Sequence, residues 1–182
     1  MPASVPSEPW HSFLNEVDAL LHREVLLHCL GGFVIAQIYA LPRPTVGVDT
    51  LVIVPSEESK NLITNAGKGS ELHRKYKVYL DLVTVADAPE NYEARLTEMF
   101  VGAYQHLHLF ALDPYDLALA KLGRNSERDR EDVLRLARKT PFELDLLKQR
   151  YEEELRPYVA NQQRNDLTAE LWMEMIAEDR GQ

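Results

Sequence analysis

The hydrophobic pattern changes character along the chain, from strand-like runs in the first half to helical spacing in the second. Residues 7–25 carry Trp10, Phe13, Leu14, Val17, Leu20 and Leu21 at intervals of three and four, which predicts an amphipathic helix. A short apolar run over 26–30 reads as a strand. Gly31-Gly32 then opens a helix through Tyr39, and Pro42 and Pro44 break the chain. Residues 46–54 are apolar on nearly every position of both faces, the pattern of a central strand in a covered sheet. Ser56 is placed to cap a helix to about Gly67, with Glu57 and Glu58 at its positive end.

A third strand is expected over 76–85, with Tyr79, Asp81, Val83 and Val85 on one face and Val78, Leu80 and Leu82 on the other. After a loop with Pro89 and a short segment around 92–96, HLHLFAL at 106–112 supplies another strand. Asp113-Pro114-Tyr115-Asp116 is a helix start, with an acid at the cap, proline at the first position and a second acid at the third. That helix runs to Gly123. Ser126 caps the next, with Asp129 as its capping-box partner, and helical spacing returns over 141–158 and 166–178. Strands first and helices afterwards predict an α+β fold, divided into a core over 1–112 with its N-terminal helix and a helical region over 113–182 packed on it.

Composition narrows the function classes. The chain has 182 residues, 45% hydrophobic and 27% charged, ordinary values for a globular protein with a full core. No apolar run nears the ~20 residues that span a bilayer, and MPASVPSEPWHSF lacks the basic and apolar regions of a signal peptide, so a cytoplasmic location without membrane attachment is expected. The single Cys29 excludes a disulfide framework and a thiolate zinc cluster. A net charge of -9 opposes nonspecific binding to a phosphate backbone. Residues 121–139 hold seven basic and four acidic side chains, either a local cationic surface or a solvated helical face laced with ion pairs.

Two lone carboxylates in apolar strands are the first chemical candidates. Asp49 is costly in VGVDTLVIV unless paired, hydrogen-bonded or holding a cation. Either it binds a divalent ion near the Gly31-Gly32 turn or it pairs with Arg43 or Lys121. Asp81 in YLDLVTV repeats the pattern, and adjacent strands would bring the two within reach of one cation; otherwise it bonds to nearby backbone. Lys121, among Leu117, Ala118 and Ala120, either emerges at a pocket edge or snorkels over the core. Other signals are discounted. Gly67-Lys68-Gly69-Ser70 fails the phosphate-loop pattern, because residue 62 is not glycine and Gly69 follows the lysine. His106 and His108 share a strand face without a third ligand nearby in sequence, and Trp172, Met173, Met175 and Ile176 read as helix packing or a dimer contact.

Gly31-Gly32, a helix, and then a strand with Asp49 resemble the signature of the minimal nucleotidyltransferases, the polymerase-beta-like superfamily. There a Gly-Gly or Gly-Ser turn precedes two acids spaced i, i+2 that hold magnesium. Here Gly47 stands at the first acid, so a one-metal enzyme and a catalytically degenerate domain used as a binding module both remain open. Further segments, DLALAKLGRNSERDREDVLRLA, YLDLVTVADAPENYEARL, RYEEELRPY and LTAELW, resemble a bacterial family of uncharacterised nucleotidyltransferase-like proteins, allied to the toxins of abortive-infection toxin–antitoxin systems. The resemblance covers roughly residues 25–160. It implies a mixed sheet with flanking helices and a helical C-terminal extension, with Asp49 and Asp81 holding Mg²⁺ and Asp81 at the third acid. It also implies a nucleoside triphosphate bound by Gly31, Gly32, Lys121 and Arg124, with Arg43 and Thr45 matching an Arg-x-Thr that precedes the acidic strand. Arg43 then either binds phosphate or covers Asp49. The acid required on the helix after Lys121 is Asp129 or Asp132. Asp132 is preferred because capping already occupies Asp129. The implied reaction is transfer of a nucleoside monophosphate to an RNA or protein hydroxyl, and the implied protein partner is a cognate antitoxin.

Overall fold

The computed structural model describes residues 4–181. They form a mixed α/β fold in two compact units: residues up to Thr84 with Leu96–Leu112, and Val85–Arg95 with the chain from Asp113 onward.

The first unit holds a five-stranded sheet. Its strands are β1 (Val25–Leu30), β2 (Gly47–Val54), β3 (Tyr79–Leu82), β4 (Thr97–Met99) and β5 (Leu107–Ala111), in the order β3-β2-β1-β5-β4. β1 is the central strand: it runs antiparallel to β2 and parallel to β5, and it is almost wholly buried. β2 pairs with β3 in parallel, and β4 with β5 antiparallel. The unit's helices are α1 (Trp10–Ala19), α2 (Gly31–Ile38), α3 (Glu58–Ala66) and α4 (Glu71–Tyr76). Phe13, Leu14, Phe33, Ile35, Leu62, Leu80, Leu107 and Leu109 fill the core, with Trp10 edge-on to Phe33 at 4.9 Å. Full burial of such side chains contributes about 1.5–3 kcal/mol each. Asp18, at the end of α1, accepts backbone N–H bonds from Gln105, His106 and Leu107, which ties that helix to the start of β5.

The second unit is helical: a 3₁₀ turn over Tyr92–Arg95, then α5 (Pro114–Leu119), α6 (Glu127–Lys139), α7 (Leu144–Arg150) and α8 (Gln162–Asp179). After α7 the chain passes through a π-helical turn, Tyr151–Leu155, and a 3₁₀ turn, Arg156–Tyr158. The two caps expected in this unit form. Asp113 accepts from the Asp116 amide with Pro114 in the first turn, and Ser126 and Asp129 make a reciprocal capping box.

Several expectations are corrected. The α3 cap position is Glu57 and no side chain caps it, so Ser56 does not have that role. The second strand is not covered throughout, since Val46 is 56% and Val54 40% exposed, and it lies beside the sheet's centre rather than at it. The third strand spans only Tyr79–Leu82. Tyr76 belongs to α4, capped by Ser70, and Val85 has left the sheet and is 90% exposed. The helices are shorter than their hydrophobic spacing implies in α1 and α5, and longer in α8, which starts at an Asn161 cap.

Candidate active site

In the first unit the site is built around a turn that only glycine tolerates. Gly31 starts α2 with φ +74°, and a Cβ placed there would fall on Asp49 Oδ2. The absent side chain lets the carboxylate lie against the start of α2, where free backbone N–H groups and the helix dipole favour negative charge. Gly32 is crowded more mildly from the opposite direction: its Cβ would meet Arg43 Nε at 3.0 Å and Thr45 Oγ1 at 3.3 Å. Thr45 donates to the Gly47 carbonyl at 3.1 Å, fixing the entry to β2. Gly31, Gly32, Arg43, Thr45 and Asp49 therefore form one constellation.

Asp81 joins it through strand register. Asp49 and Asp81 are direct partners in the parallel β2–β3 ladder, so their side chains share a face. Asp81 is exposed and Asp49 half-buried. One ladder step back, Gly47 pairs with Tyr79 on that face. A Cβ at Gly47 would meet only ordinary contacts, Asp49 Oδ1 at 3.5 Å and the Tyr79 ring at 3.6 Å. The position of the family's first acid is thus open enough for a side chain. Two register-paired carboxylates suit one hydrated Mg²⁺, which keeps several waters and relies on substrate phosphates. Among the described residues no group of three acidic, histidine or cysteine side chains is placed to hold a metal.

The other predicted residues meet in the second unit. Lys121 is only 6% exposed, and its Nζ lies 2.9 Å from Asp132 Oδ2 and 3.3 Å from Asp129 Oδ1. Arg124 Nε donates to Asp129 Oδ2 at 2.7 Å and leaves its side chain 68% exposed. Burial would raise the Asp129 carboxyl, but hydrogen bonds from Arg124 and Ser126 and the Lys121 charge hold it well below the usual carboxylate range. Two cations and two carboxylates balance within the cluster.

A second buried network in this unit escaped the reading of the sequence. Asp116 is fully buried and takes a bidentate bond from Arg95 at 2.8 and 2.9 Å. Arg95 also grips Glu154, while Arg150 reaches Asp113 at 2.6 Å and Asp116 at 3.2 Å. Burial pushes the Asp116 carboxyl up against the pull of Arg95, and the nearby Asp113 charge adds to that. The spacing of Arg95, Asp116, Arg150 and Glu154 carries no local signal, because the four groups come from three separate segments. Elsewhere, burial raises the Cys29 thiol far above its ordinary range, which removes it as a nucleophile. His108 is held by Glu98 at 2.9 Å, a strand-face pairing.

Over residues 21–180 the sequence matches the family described as nucleotidyltransferase of unknown function (DUF6036), and the chain belongs to it. No curated protein and no solved structure matches. No helix among the described residues is long and apolar enough to cross a membrane.

Proposed function

We propose that the chain binds a nucleoside triphosphate against the Gly31-Gly32 turn and transfers its nucleoside monophosphate to a hydroxyl of RNA or protein. One observation carries this reading: the register pairing of Asp49 with Asp81, with Asp49 seated on the glycine turn that starts α2. A triphosphate suits a helix start, where the first backbone N–H groups lack intrahelical partners. Asp49 and Asp81 are the residues to hold Mg²⁺, which when bound supplies charge neutralisation at the phosphates. Arg43 and Thr45 border the turn and suit contacts to phosphate oxygens. Lys121, Arg124 and Asp132 enter by family resemblance as phosphate-binding and supporting residues. Membership of a toxin–antitoxin pair rests on the same resemblance alone.

The second reading is a catalytically degenerate domain that serves as an interaction module. It is favoured by Gly47, which leaves two acids where two-metal transfer uses three. Calorimetry separates the two, titrating ATP, CTP, GTP and UTP with and without Mg²⁺. Micromolar binding that needs Mg²⁺ and disappears in Asp49→Asn supports the transferase. Failure of all four nucleotides to bind the wild type sinks it in favour of the module.

A further inference from the structure

The face that carries Asp49 and Asp81 continues into a feature the nucleotide does not require. Tyr79 is the register partner of Gly47, and its ring carbons lie 3.6 and 3.7 Å from where a Gly47 side chain would begin. His73 stands edge-on to that ring at 4.9 Å. The imidazole is itself fixed, since the Gly69 N–H donates to its Nδ1 at 2.9 Å. Lys68 Nζ lies 6.0 Å from the centre of the Tyr79 ring. Tyr79 is thus a half-buried aromatic held by a histidine, flanked by a cation, one ladder step from the two carboxylates.

Its surroundings are the most basic part of the chain. Residues 60–77 hold Lys60, Lys68, Arg74, Lys75 and Lys77 against the single acid Glu71. Lys75 is spent on Glu16 and Tyr76. Lys68, Arg74 and Lys77 are exposed. In a protein of net charge -9, a run of cations leading to an aromatic ring suits a ligand with repeated phosphates and stackable bases. The two oxygens of Asp49 divide the site accordingly: Oδ2 faces the Gly31 turn, and Oδ1 faces the Gly47–Tyr79 side.

We infer that Tyr79, with His73 and Lys68, is a stacking platform for a base of a single-stranded polynucleotide whose phosphates run along Lys68, Arg74 and Lys77, beside the Asp49–Asp81 pair. As the acceptor side of the site, this deepens the transferase reading and depends on it; as a binding surface it stands without it. A bound base on Tyr79 sets the neighbouring sugar hydroxyl near the carboxylates.

The test is fluorescence anisotropy with a labelled single-stranded RNA oligonucleotide, and in a parallel arm the DNA of the same sequence, in buffer without nucleotide or Mg²⁺. Wild type is expected to bind at roughly 50 mM salt and to weaken steeply by roughly 200 mM. Tyr79→Leu is expected to lose about tenfold in affinity while Tyr79→Phe keeps it. The paired substitution of Lys68 and Lys77 by alanine is expected to lower the salt slope by about 0.7 per lysine. Circular dichroism confirms that each variant folds. Binding of RNA alone names a ribose-dependent acceptor, and equal binding of DNA names the shared backbone-and-base chemistry. No binding by wild type, or equal binding by Tyr79→Leu, overturns the platform. Because the assay contains no nucleotide, a negative result leaves triphosphate binding untouched, and a chain that binds RNA but no triphosphate fails only the transferase reading.

Discussion

At the scale of single residues, the site is defined by what glycine permits. Gly31→Ala must hold an alanine at φ +74° and drive its methyl into Asp49, whereas Gly102, at φ +77°, has nothing within 4 Å of the added carbon. Both variants carry backbone strain on the order of 1–3 kcal/mol, and Gly31→Ala should sit at or above the top of that range because the carboxylate must also move. Urea unfolding of the two variants, compared at equal conditions, checks this; equal losses would show that the Asp49 contact is unimportant. Gly47→Asp is the opposite case. The backbone there is ordinary strand and an added Cβ meets only ordinary contacts, so the variant should fold. Its new charge lies beside Asp49, so it should melt earlier than wild type in chelator and gain more from millimolar Mg²⁺, as expected when a ligand binds only the folded state. A thermal melt with and without Mg²⁺ reads both signs. The Gly31-Gly32 turn, Asp49 and its Asp81 neighbour were legible in the sequence because carboxylates interrupting apolar strands need a reason. Tyr79 was legible only as a position on the Asp81 face, since its partners Gly47 and His73 are brought to it by sheet register and by a helix the pattern did not reveal.

At the scale of elements, the α5–α6 segment shows why a loss of activity needs careful reading. Lys121 is buried between Asp129 and Asp132. Lys121→Met leaves both carboxylates without that cation, which should destabilise the fold by about 3–5 kcal/mol. An inactive Lys121 variant is therefore not by itself evidence of contact with phosphate. The double variant Lys121→Met with Asp132→Leu removes cation and anion together, and most of the stability should return, with Asp129 still held by Arg124. Chemical denaturation measures the recovery. If the refolded double variant still fails to bind triphosphate, the Lys121–Asp132 pair acts on the ligand; if binding returns with stability, the role of Lys121 is structural. The same segment marks the limit of pattern reading. Its caps at Asp113 and Ser126 follow from local chemistry and were predicted to the residue. Helix α4 was missed because Leu72 is its one buried side chain, leaving no apolar stripe to detect. The three residues of β4 are too few to show alternation. Residues 60–77 exceed the positive balance of 121–139, yet their charges are scattered over a helix end, a loop and a helix, and only the fold sets Lys68 over the Tyr79 ring.

At the scale of the whole molecule, acidity is the governing quantity. Asp129 is held low against its own burial by Arg124, Ser126 and Lys121, Glu154 is held low chiefly by Arg95, and Asp166 by Arg156. Carboxylates with depressed folded-state values contribute stability that is present above their unfolded values and lost as pH falls through the folded ones. Stability should hold from neutral pH down to about 4, the ordinary range of unfolded Asp and Glu, and fall below it. Asp129→Asn should be less stable at pH 7 and show a shallower acid limb, which urea midpoints across pH measure directly. An unchanged limb would mean that the Asp129 pairings do not survive in solution. Burial raises Asp116 instead, and its protonation opposes this trend rather than adding to it. The sheet-first, helix-later architecture followed from residue order, and the family from the resemblance of its motifs. The two units do not follow it, since Val85–Arg95 belongs with the helical unit although it precedes β4 and β5. That excursion is invisible to hydrophobic period, because Arg95 reaches Asp116 and Glu154 across gaps of 21 and 59 residues. The contrast between Gly31 and Gly47 has one more consequence. At residue 47 the first carbon of a side chain meets only ordinary contacts, while at residue 31 it collides with Asp49. Folding dictates the first glycine through backbone and space alike, whereas at the second it resists only the charge, so a magnesium ion that neutralised the pair would turn the cost of an acid there into a gain.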